Sequence, residues 1–174
     1  DDLSNEELCV SIEDAIRLNA SAVAFSIYIG GAYEHQTIVE FSKLVNDAHR
    51  YGIPVLAVTA VGKDMNRDLR YLSLASRIAV ELGADIVKTY YCDGFNELIA
   101  ACPVPVVIAG GKKVPELDAL EFAYKAISDG AAGVDMGRNI FQSDSPESMI
   151  QAVRSVVVNS VEPKDAFEQY KSSL

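Results

Sequence analysis

Short apolar runs alternate with longer amphipathic stretches along the whole chain. The apolar runs are rich in Val, Ile, Ala and aromatic residues, and their nearly continuous apolar character is typical of strands covered on both faces. The stretches between them repeat apolar residues with a helical period. This pattern predicts five strands, at residues 22–30, 54–60, 85–91, 105–111 and 133–138. It predicts helices at residues 11–19, 37–51, 71–82, 97–101, 115–129, 145–158 and 164–172.

A strict alternation of strand and helix predicts parallel strands joined by right-handed helical crossovers. An open doubly wound α/β sheet and a TIM (β/α)8 barrel both have this order. The first strand–helix turn, Gly30-Gly31-Ala32, lacks the dinucleotide-binding fingerprint, and no P-loop occurs, so the barrel is favoured. Since a complete barrel takes about 250 residues, we interpret residues 1–174 as a single domain that forms the C-terminal portion of a barrel. A self-sufficient open sheet of five strands is the alternative.

Composition narrows the classes of function. The 174 residues are 49% hydrophobic and 23% charged, as in a globular domain. Asp and Glu number 25 against 15 Lys and Arg, and this net charge of −10 disfavours nucleic-acid binding. The absence of a long apolar segment and of a signal-peptide pattern predicts a cytoplasmic protein without a membrane partner. Three cysteines and two histidines without ligand spacing predict reduced thiols and no metal site, with a pairing of Cys92 and Cys102 as the alternative to free thiols.

Lys88 lies inside the third apolar run, where a lysine is costly unless it has a role. With a period of two residues, it shares one face of the strand with Ile86 and Tyr90. If this face points into a barrel, the amine is partly removed from water, which favours its neutral form. A neutral amine can attack a carbonyl to form a Schiff base. A strand-end lysine that extends into solvent is an equally good interpretation of the sequence.

Two glycine-rich turns with basic residues follow the last two predicted strands. The loops after strands seven and eight of barrels frequently bind phosphate through backbone amides. Glycines let the backbone approach an anion closely, and arginine adds a bidentate cation. We therefore expect a phosphate site formed by Gly110, Gly111, Gly137 and Arg138. Ordinary turn glycines beside a surface arginine are the alternative.

The loops after the first two strands reach the same edge of the predicted sheet. His35, after the first strand, is either an acid/base or substrate contact or a hydrogen-bonded loop residue, whereas His49 is interpreted as a surface residue on a helix. The loop after the second strand brings Thr59, Lys63, Asp64 and Arg67 to this edge.

The chain resembles the class I aldolase family, which groups deoxyribose-phosphate aldolase, archaeal-type fructose-bisphosphate aldolase and a thiolase that processes a quorum-sensing signal. The resemblance covers essentially the whole chain and is carried by the segments DIVKTYY, VIAGGKK and GVDMGRNIFQSD, with AVTAVGKDM and YIGGAYEHQ upstream. It implies a TIM barrel whose sixth strand carries the Schiff-base lysine at Lys88. It also implies a phosphate grip at the two glycine-rich turns, and homo-oligomers as large as decamers.

One departure from the family pattern favours its thiolase branch. Fructose-bisphosphate members place a catalytic Tyr in a Tyr-Pro-Arg-Gly-like stretch at the end of strand five, where this chain has Thr59 followed by Ala60, Val61 and Gly62. The resemblance implies Thr59 as a substrate contact. In the thiolase branch, the acetyl group of a phosphorylated pentane-dione from autoinducer-2 breakdown passes to coenzyme A, giving acetyl-CoA and dihydroxyacetone phosphate. A metal-independent fructose-bisphosphate or related sugar-phosphate aldolase is the alternative.

A second departure concerns the start of the barrel. The family's acidic and histidine residues of strand one, in a Phe-Asp-His-Gly-like motif, have no counterpart in this sequence. We therefore expect this chain to be an N-terminally truncated segment that begins near the third strand. An inactive barrel fragment that binds sugar phosphates is accordingly a further alternative.

Overall fold

The computed structural model describes residues 4–61 and 66–173, so the predicted rim residues Lys63 and Asp64 lie outside the described residues. The described strands are β1 (Val23–Ile29), β2 (Val55–Val61), β3 (Ile86–Thr89), β4 (Val106–Ala109) and β5 (Gly133–Asp135). The described helices are α1 (Ile12–Arg17), α2 (Glu34–Arg50), α3 (Leu69–Glu81), α4 (Phe95–Ala101), α5 (Glu116–Ser128), α6 (Arg138–Phe141), α7 (Pro146–Asn159) and α8 (Pro163–Ser172).

The predicted order of strands and helices is confirmed, with one addition. β5 ends at Asp135 rather than at Arg138, because the chain turns at Gly137 and begins the short helix α6. Two helices begin at a side-chain cap: the Ser11 side chain accepts a hydrogen bond from the Asp14 amide, and the Asp68 side chain accepts one from the Tyr71 amide.

The described residues group into two compact units, Asp1–Val106 and Val107–Leu174. In the first unit, β2 pairs in parallel with both β1 and β3. Burial alternates along these strands, because α2 and α3 pack against one face of the sheet. That face carries Phe25, Ile27, Ile29, Val55, Ala57, Thr59, Val87 and Thr89, all buried. The expectation that both faces are covered is wrong for this unit, since the opposite residues of β2 and β3 are only half-buried.

In the second unit, β4 and β5 pair in parallel, with Ile108 opposite Val134. Its core lies among α5, α7 and α8 and contains Leu120, Met149, Val156 and Tyr170. The interpretation of residues 1–174 as one domain remains a prediction.

Among the described residues, no helix combines the length and apolar character needed to cross a membrane. Cys9, Cys92 and Cys102 are free thiols. The described part of the chain also contains no cluster of three His, Cys, Asp or Glu side chains able to hold a metal ion.

Candidate functional site

Lys88 lies on the half-buried face of the first unit's sheet. Its neighbours in the strand, Val87 and Thr89, are buried on the opposite face, with exposures of 0% and 1%. Lys88 pairs in register with Val58 of β2, and Val58 pairs with Ser26 of β1. Residues in register on parallel strands point to the same side, so these three side chains share one face. Burial alternates along β3, which agrees with the predicted period of two residues and places Lys88 on the same face as Ile86.

Tyr28 brings a phenol to the same face near the carboxyl end of β1. It follows Ser26 by two residues, and its hydroxyl donates a hydrogen bond to Glu6 Oε1 at 2.6 Å. Burial, followed by the hydrogen bond to Glu6 and the charge of Glu6, raises the pKa of Tyr28 to about 12. The phenol therefore stays protonated at neutral pH and serves as a hydrogen-bond donor.

The carboxyl end of β1 is fixed to the start of α2 by two contacts from the backbone. The Tyr28 amide donates to Thr37 Oγ1 at 3.2 Å, and the Gly30 amide donates to Glu34 Oε2 at 2.5 Å. His35, in the first turn of α2, is exposed. These contacts position Tyr28, whereas none of the described hydrogen bonds draws His35 toward Lys88.

Thr59 does not lie on the face of Lys88. It is 1% exposed, and its hydroxyl is 2.8 Å from Thr89 Oγ1 and 3.3 Å from the Lys88 carbonyl oxygen. Its position follows from the period of two residues, since it shares a face with the buried Val55 and Ala57. The structure thus places Thr59 where it ties β2 to β3, rather than where a substrate would contact it.

Arg67 and Tyr90 form a stacked pair at the carboxyl end of β3. The guanidinium carbon lies 3.8 Å from the centre of the Tyr90 ring, a cation–π geometry. Tyr90 is half-buried, as Lys88 is, and follows it by two residues. Arg67, from the loop before α3, is exposed. The sequence predicted Arg67 at this edge but not its contact with Tyr90, because the two residues are 23 positions apart in the chain.

Cys92 lies just beyond this strand end and is buried. Desolvation, together with the charges of Asp93 and Asp68, raises the pKa of its thiol. The thiol is therefore held in its protonated, weakly nucleophilic form. Lys88, rather than Cys92, is the candidate nucleophile of this unit.

In the second unit, the turns after β4 and β5 lie in contact. A Cβ on Gly110 would come within 2.7 Å of Met136 Cγ and 3.0 Å of Met136 Cα, so the close approach of the two turns requires glycine. The Gly110 amide donates to the Asp135 carbonyl at 3.1 Å. Gly111 has a φ of +66°, which glycine adopts without strain, and space around its Cα is open.

Asn139, which sequence reasoning did not identify, holds these two turns together. It is 1% exposed, and its Nδ2 donates to the carbonyls of Gly110 at 2.7 Å and Lys112 at 3.2 Å. Its Oδ1 accepts a hydrogen bond from the Val114 amide at 2.9 Å. One buried amide thereby satisfies three backbone groups of the turn after β4. The only sequence signal was its position directly after Arg138.

The predicted phosphate residues of this unit are accessible. Gly111, Gly137 and Arg138 are exposed, and Gly110 is half-buried. Lys113 is hydrogen-bonded to Glu116, and this bond holds the pKa of the Glu116 carboxyl below its ordinary value. Arg138 is therefore the better placed of these two cations to meet an anion at the turns.

Known proteins resemble this chain along nearly its whole length. Residues 2–143 match the DeoC/LacD family of aldolases. A 3-hydroxy-5-phosphonooxypentane-2,4-dione thiolase of Photorhabdus laumondii is 58% identical over 172 residues, which are 98% of this chain and 59% of that protein. A thiolase of the same name from Klebsiella pneumoniae is 58% identical over 168 residues, covering 96% of this chain and 57% of that protein. The chain thus spans less than three fifths of the length of these relatives.

The fold is shared with an archaeal fructose-1,6-bisphosphate aldolase whose catalytic Lys is covalently bound to the carbinolamine intermediate of its substrate. That structure is 30% identical, has a TM-score of 0.81, and the match covers 87% of this chain and 63% of that one. These matches confirm the predicted family resemblance and the fold class, part of a TIM (β/α)8 barrel.

Proposed function

We propose that this chain, which belongs to the DeoC/LacD family of aldolases, carries the Schiff-base centre of an acetyltransferring thiolase. The observation that carries the proposal is the half-buried Lys88, which shares its sheet face with Tyr28 and is followed two residues later by the half-buried Tyr90. The substrate is taken to be 3-hydroxy-5-phosphonooxypentane-2,4-dione, because relatives at 58% identity are named as thiolases of this compound.

In the proposed reaction, the iminium ion that forms on Lys88 accepts the electron pair of the bond that breaks. The Lys88 amine adds to the C4 carbonyl and water leaves, forming an iminium ion. The thiol of coenzyme A adds to the C2 carbonyl and loses its proton, and the C2–C3 bond breaks. Its electron pair moves into the iminium to give an enamine, while acetyl-CoA leaves. Protonation at C3 and hydrolysis release dihydroxyacetone phosphate and restore the amine.

The other residues have separate roles in this proposal. Gly110, Gly111, Gly137 and Arg138 bind the phosphate, supported by their exposure and by the Asn139 hydrogen bonds that shape the turn. The Tyr28 phenol, whose O–H is donated to Glu6, offers its oxygen as a hydrogen-bond acceptor on the Lys88 face. Thr59 is left out of the substrate contacts because it lies on the opposite face. Coenzyme A is the only cosubstrate, and no metal takes part. The free thiols are consistent with a cytoplasmic enzyme, and assembly into homo-oligomers remains an expectation.

Trapping of the Schiff base tests the proposal. The protein as its gene encodes it is incubated with dihydroxyacetone phosphate and sodium borohydride, then digested for mass spectrometry. We expect one reduced adduct, on the peptide that contains Lys88, and none on the peptides that contain Lys112 or Lys113. A folded protein that gives no adduct, or an adduct at another lysine, would refute the assignment.

A sugar-phosphate aldolase is the second candidate, favoured by the match to the archaeal fructose-1,6-bisphosphate aldolase. It uses the same lysine, so dependence on coenzyme A separates the two. Cleavage of fructose 1,6-bisphosphate at a useful rate without coenzyme A would select the aldolase. Binding of sugar phosphates without any turnover would select the inactive fragment.

A further inference from the structure

Arg67 and Tyr90 form a preorganised pair beside the Schiff-base lysine. Tyr90 follows Lys88 by two residues and shares its half-buried environment, while the buried Thr89 between them points the other way. Two residues of extended chain place the Tyr90 Cα about 6.6 Å beyond that of Lys88, toward the carboxyl end of the strand. The guanidinium of Arg67 covers the ring at 3.8 Å. A cation is thus held just outside the reacting group.

Stacking leaves the hydrogen-bonding edge of the guanidinium available. With the guanidinium carbon 3.8 Å from the ring centre, an N–H aimed at the ring would overlap it, so the cation meets the ring with its flat face and its N–H donors point outward in their plane. Among the residues that the structure describes, no carboxylate forms an ion pair with Arg67. The adjacent Asp68 carboxylate accepts a hydrogen bond from the Tyr71 amide at 3.1 Å, as the cap of α3. In a chain with a net charge of −10, this exposed arginine presents a fork that matches a phosphate.

The position of this pair distinguishes it from the phosphate site of the turns after β4 and β5. The pair belongs to the first unit, on the loop before α3, and Arg67 is exposed to solvent. A group that reaches Arg67 while its reactive end lies at the Lys88 face must extend outward past the strand end. Coenzyme A has this form, with its thiol at one end and its phosphates at the other.

We propose that Arg67, held on the Tyr90 ring, is a second phosphate-binding site that receives a phosphate group of the entering coenzyme A. The inference rests on the proposed function. Holding a long arginine side chain against a ring before binding reduces the conformational entropy that is lost when the phosphate arrives. Arg67 then determines which thiol is accepted, without taking part in bond breaking.

The test compares coenzyme A with pantetheine, which carries the same thiol arm but no phosphate. For Arg67→Gln we expect the KM for coenzyme A to rise about tenfold, as the loss of one charged hydrogen bond implies, while the KM ratio of coenzyme A to pantetheine rises by the same factor. Arg67→Lys, which keeps the charge but not the planar fork, should recover part of the loss. Arg70→Gln, at an exposed arginine three residues along, is the matched control and should behave as wild type.

Two other outcomes would contradict the proposal. A rise in the KM for the phosphorylated ketone, with coenzyme A unaffected, would show that the site binds the phosphate of the ketone instead. A fall in melting temperature, with unchanged KM values for both substrates, would show a packing role only and overturn the proposal.

Direct binding separates this inference from the proposed function. Titration of 3′-phosphoadenosine 5′-diphosphate, the phosphate-bearing part of coenzyme A, is followed by calorimetry in the wild type and in Arg67→Gln. Weaker binding by the variant supports the site even if borohydride traps nothing at Lys88. Equal binding by both proteins, together with normal trapping at Lys88, would refute the site while the proposed function stands.

Discussion

The carboxyl and amino ends of β1, β2 and β3 hold their polar groups in different ways. At the amino end, Asp85 Oδ2 accepts a hydrogen bond from the Val55 amide at 2.8 Å and lies 3.0 Å from His49 Nε2. These contacts join β2, β3 and the end of α2. At the carboxyl end, the Tyr28 hydroxyl donates to Glu6 and the Arg67 guanidinium lies over the Tyr90 ring, which leaves the N–H donors of Arg67 available for a ligand.

This difference separates stability from chemistry along the same strands. The charge of Asp85 is satisfied by groups of the scaffold, so its contacts stabilise the fold. The groups at the carboxyl end are held in place by one contact each and keep capacity for a ligand. Barrel enzymes place catalysis at the carboxyl ends of their strands and stability at the amino ends, and the proposed function assigns the same division to this unit.

The largest expected effect comes from Lys88→Ala. If the carboxyl end carries the chemistry, turnover should fall by at least about a thousandfold, as for loss of a covalent nucleophile. The fold should survive, which circular dichroism and a melting curve will show. Lys112→Ala, an exposed lysine in the turn after β4, is the control and should leave the borohydride trap at Lys88 unchanged. Full activity in Lys88→Ala would show that the carboxyl end of these strands does not carry the chemistry.

Gly110→Ala tests how tightly the carboxyl-end turns of the second unit are packed. The new Cβ meets Met136, including its Cα at 3.0 Å, and we expect the free energy of unfolding to fall by about 1–3 kcal/mol. Phosphate affinity should weaken as well, since the turn must shift. Gly133→Ala is the matched control, because its Cβ would meet Val107 Cγ1 at an ordinary 3.5 Å. Equal denaturant midpoints for the two variants would contradict the close approach.

Thr59→Val separates a structural residue from a substrate contact at the same end of the sheet. The substitution keeps the shape but removes a hydroxyl from the buried partner Thr89, which should cost about 1–3 kcal/mol of stability. The KM for the phosphorylated ketone should not change, and Thr59→Ser should restore stability. A specific rise in KM without a loss of stability would return Thr59 to the substrate contacts.

Asp85→Asn has the smallest expected effect and acts at the amino end. Although burial opposes the shift, hydrogen bonds from the Val55 amide and His49 lower the pKa of Asp85 below its ordinary 3.8. The charged form is therefore favoured by folding. Its contribution to stability is present above pH 3.8 and is lost as the pH falls through the lowered pKa of the folded state.

Denaturation curves at several pH values check this expectation. Wild type should be more stable than Asp85→Asn at pH 7, and the difference should disappear in acid. Trapping at Lys88 should be the same in both proteins at pH 7. A difference in stability that persists at the lowest pH would show that the carboxylate charge is not its source.

Much of the site was predictable from local pattern. The period of two residues places Lys88 on its own face, and glycines beside basic residues mark the turns after β4 and β5. The same period could have shown that Thr59 is not a substrate contact, because it lies two and four residues after the buried Ala57 and Val55 and therefore shares their face of the strand. The family motif led to the wrong face, because a motif aligns positions along the chain and carries no information on which side a side chain points.

The contacts that complete the site were not predictable in this way. Tyr28 and Glu6 are 22 residues apart, and Asn139 acts on a turn 25 to 29 residues before it. Their distances depend on how each helix returns the chain to the sheet, and no local repeat encodes that path.

The sequence by itself determined the order of strands and helices, the face of Lys88 and the two glycine-rich turns, since each depends on a residue and its near neighbours in the chain. Only the tertiary structure decided that Glu6 orients Tyr28, that Tyr90 supports Arg67 and that Asn139 shapes the turn after β4. These pairs form only after strands and helices have packed, because packing alone brings residues far apart in the chain within hydrogen-bonding or stacking distance.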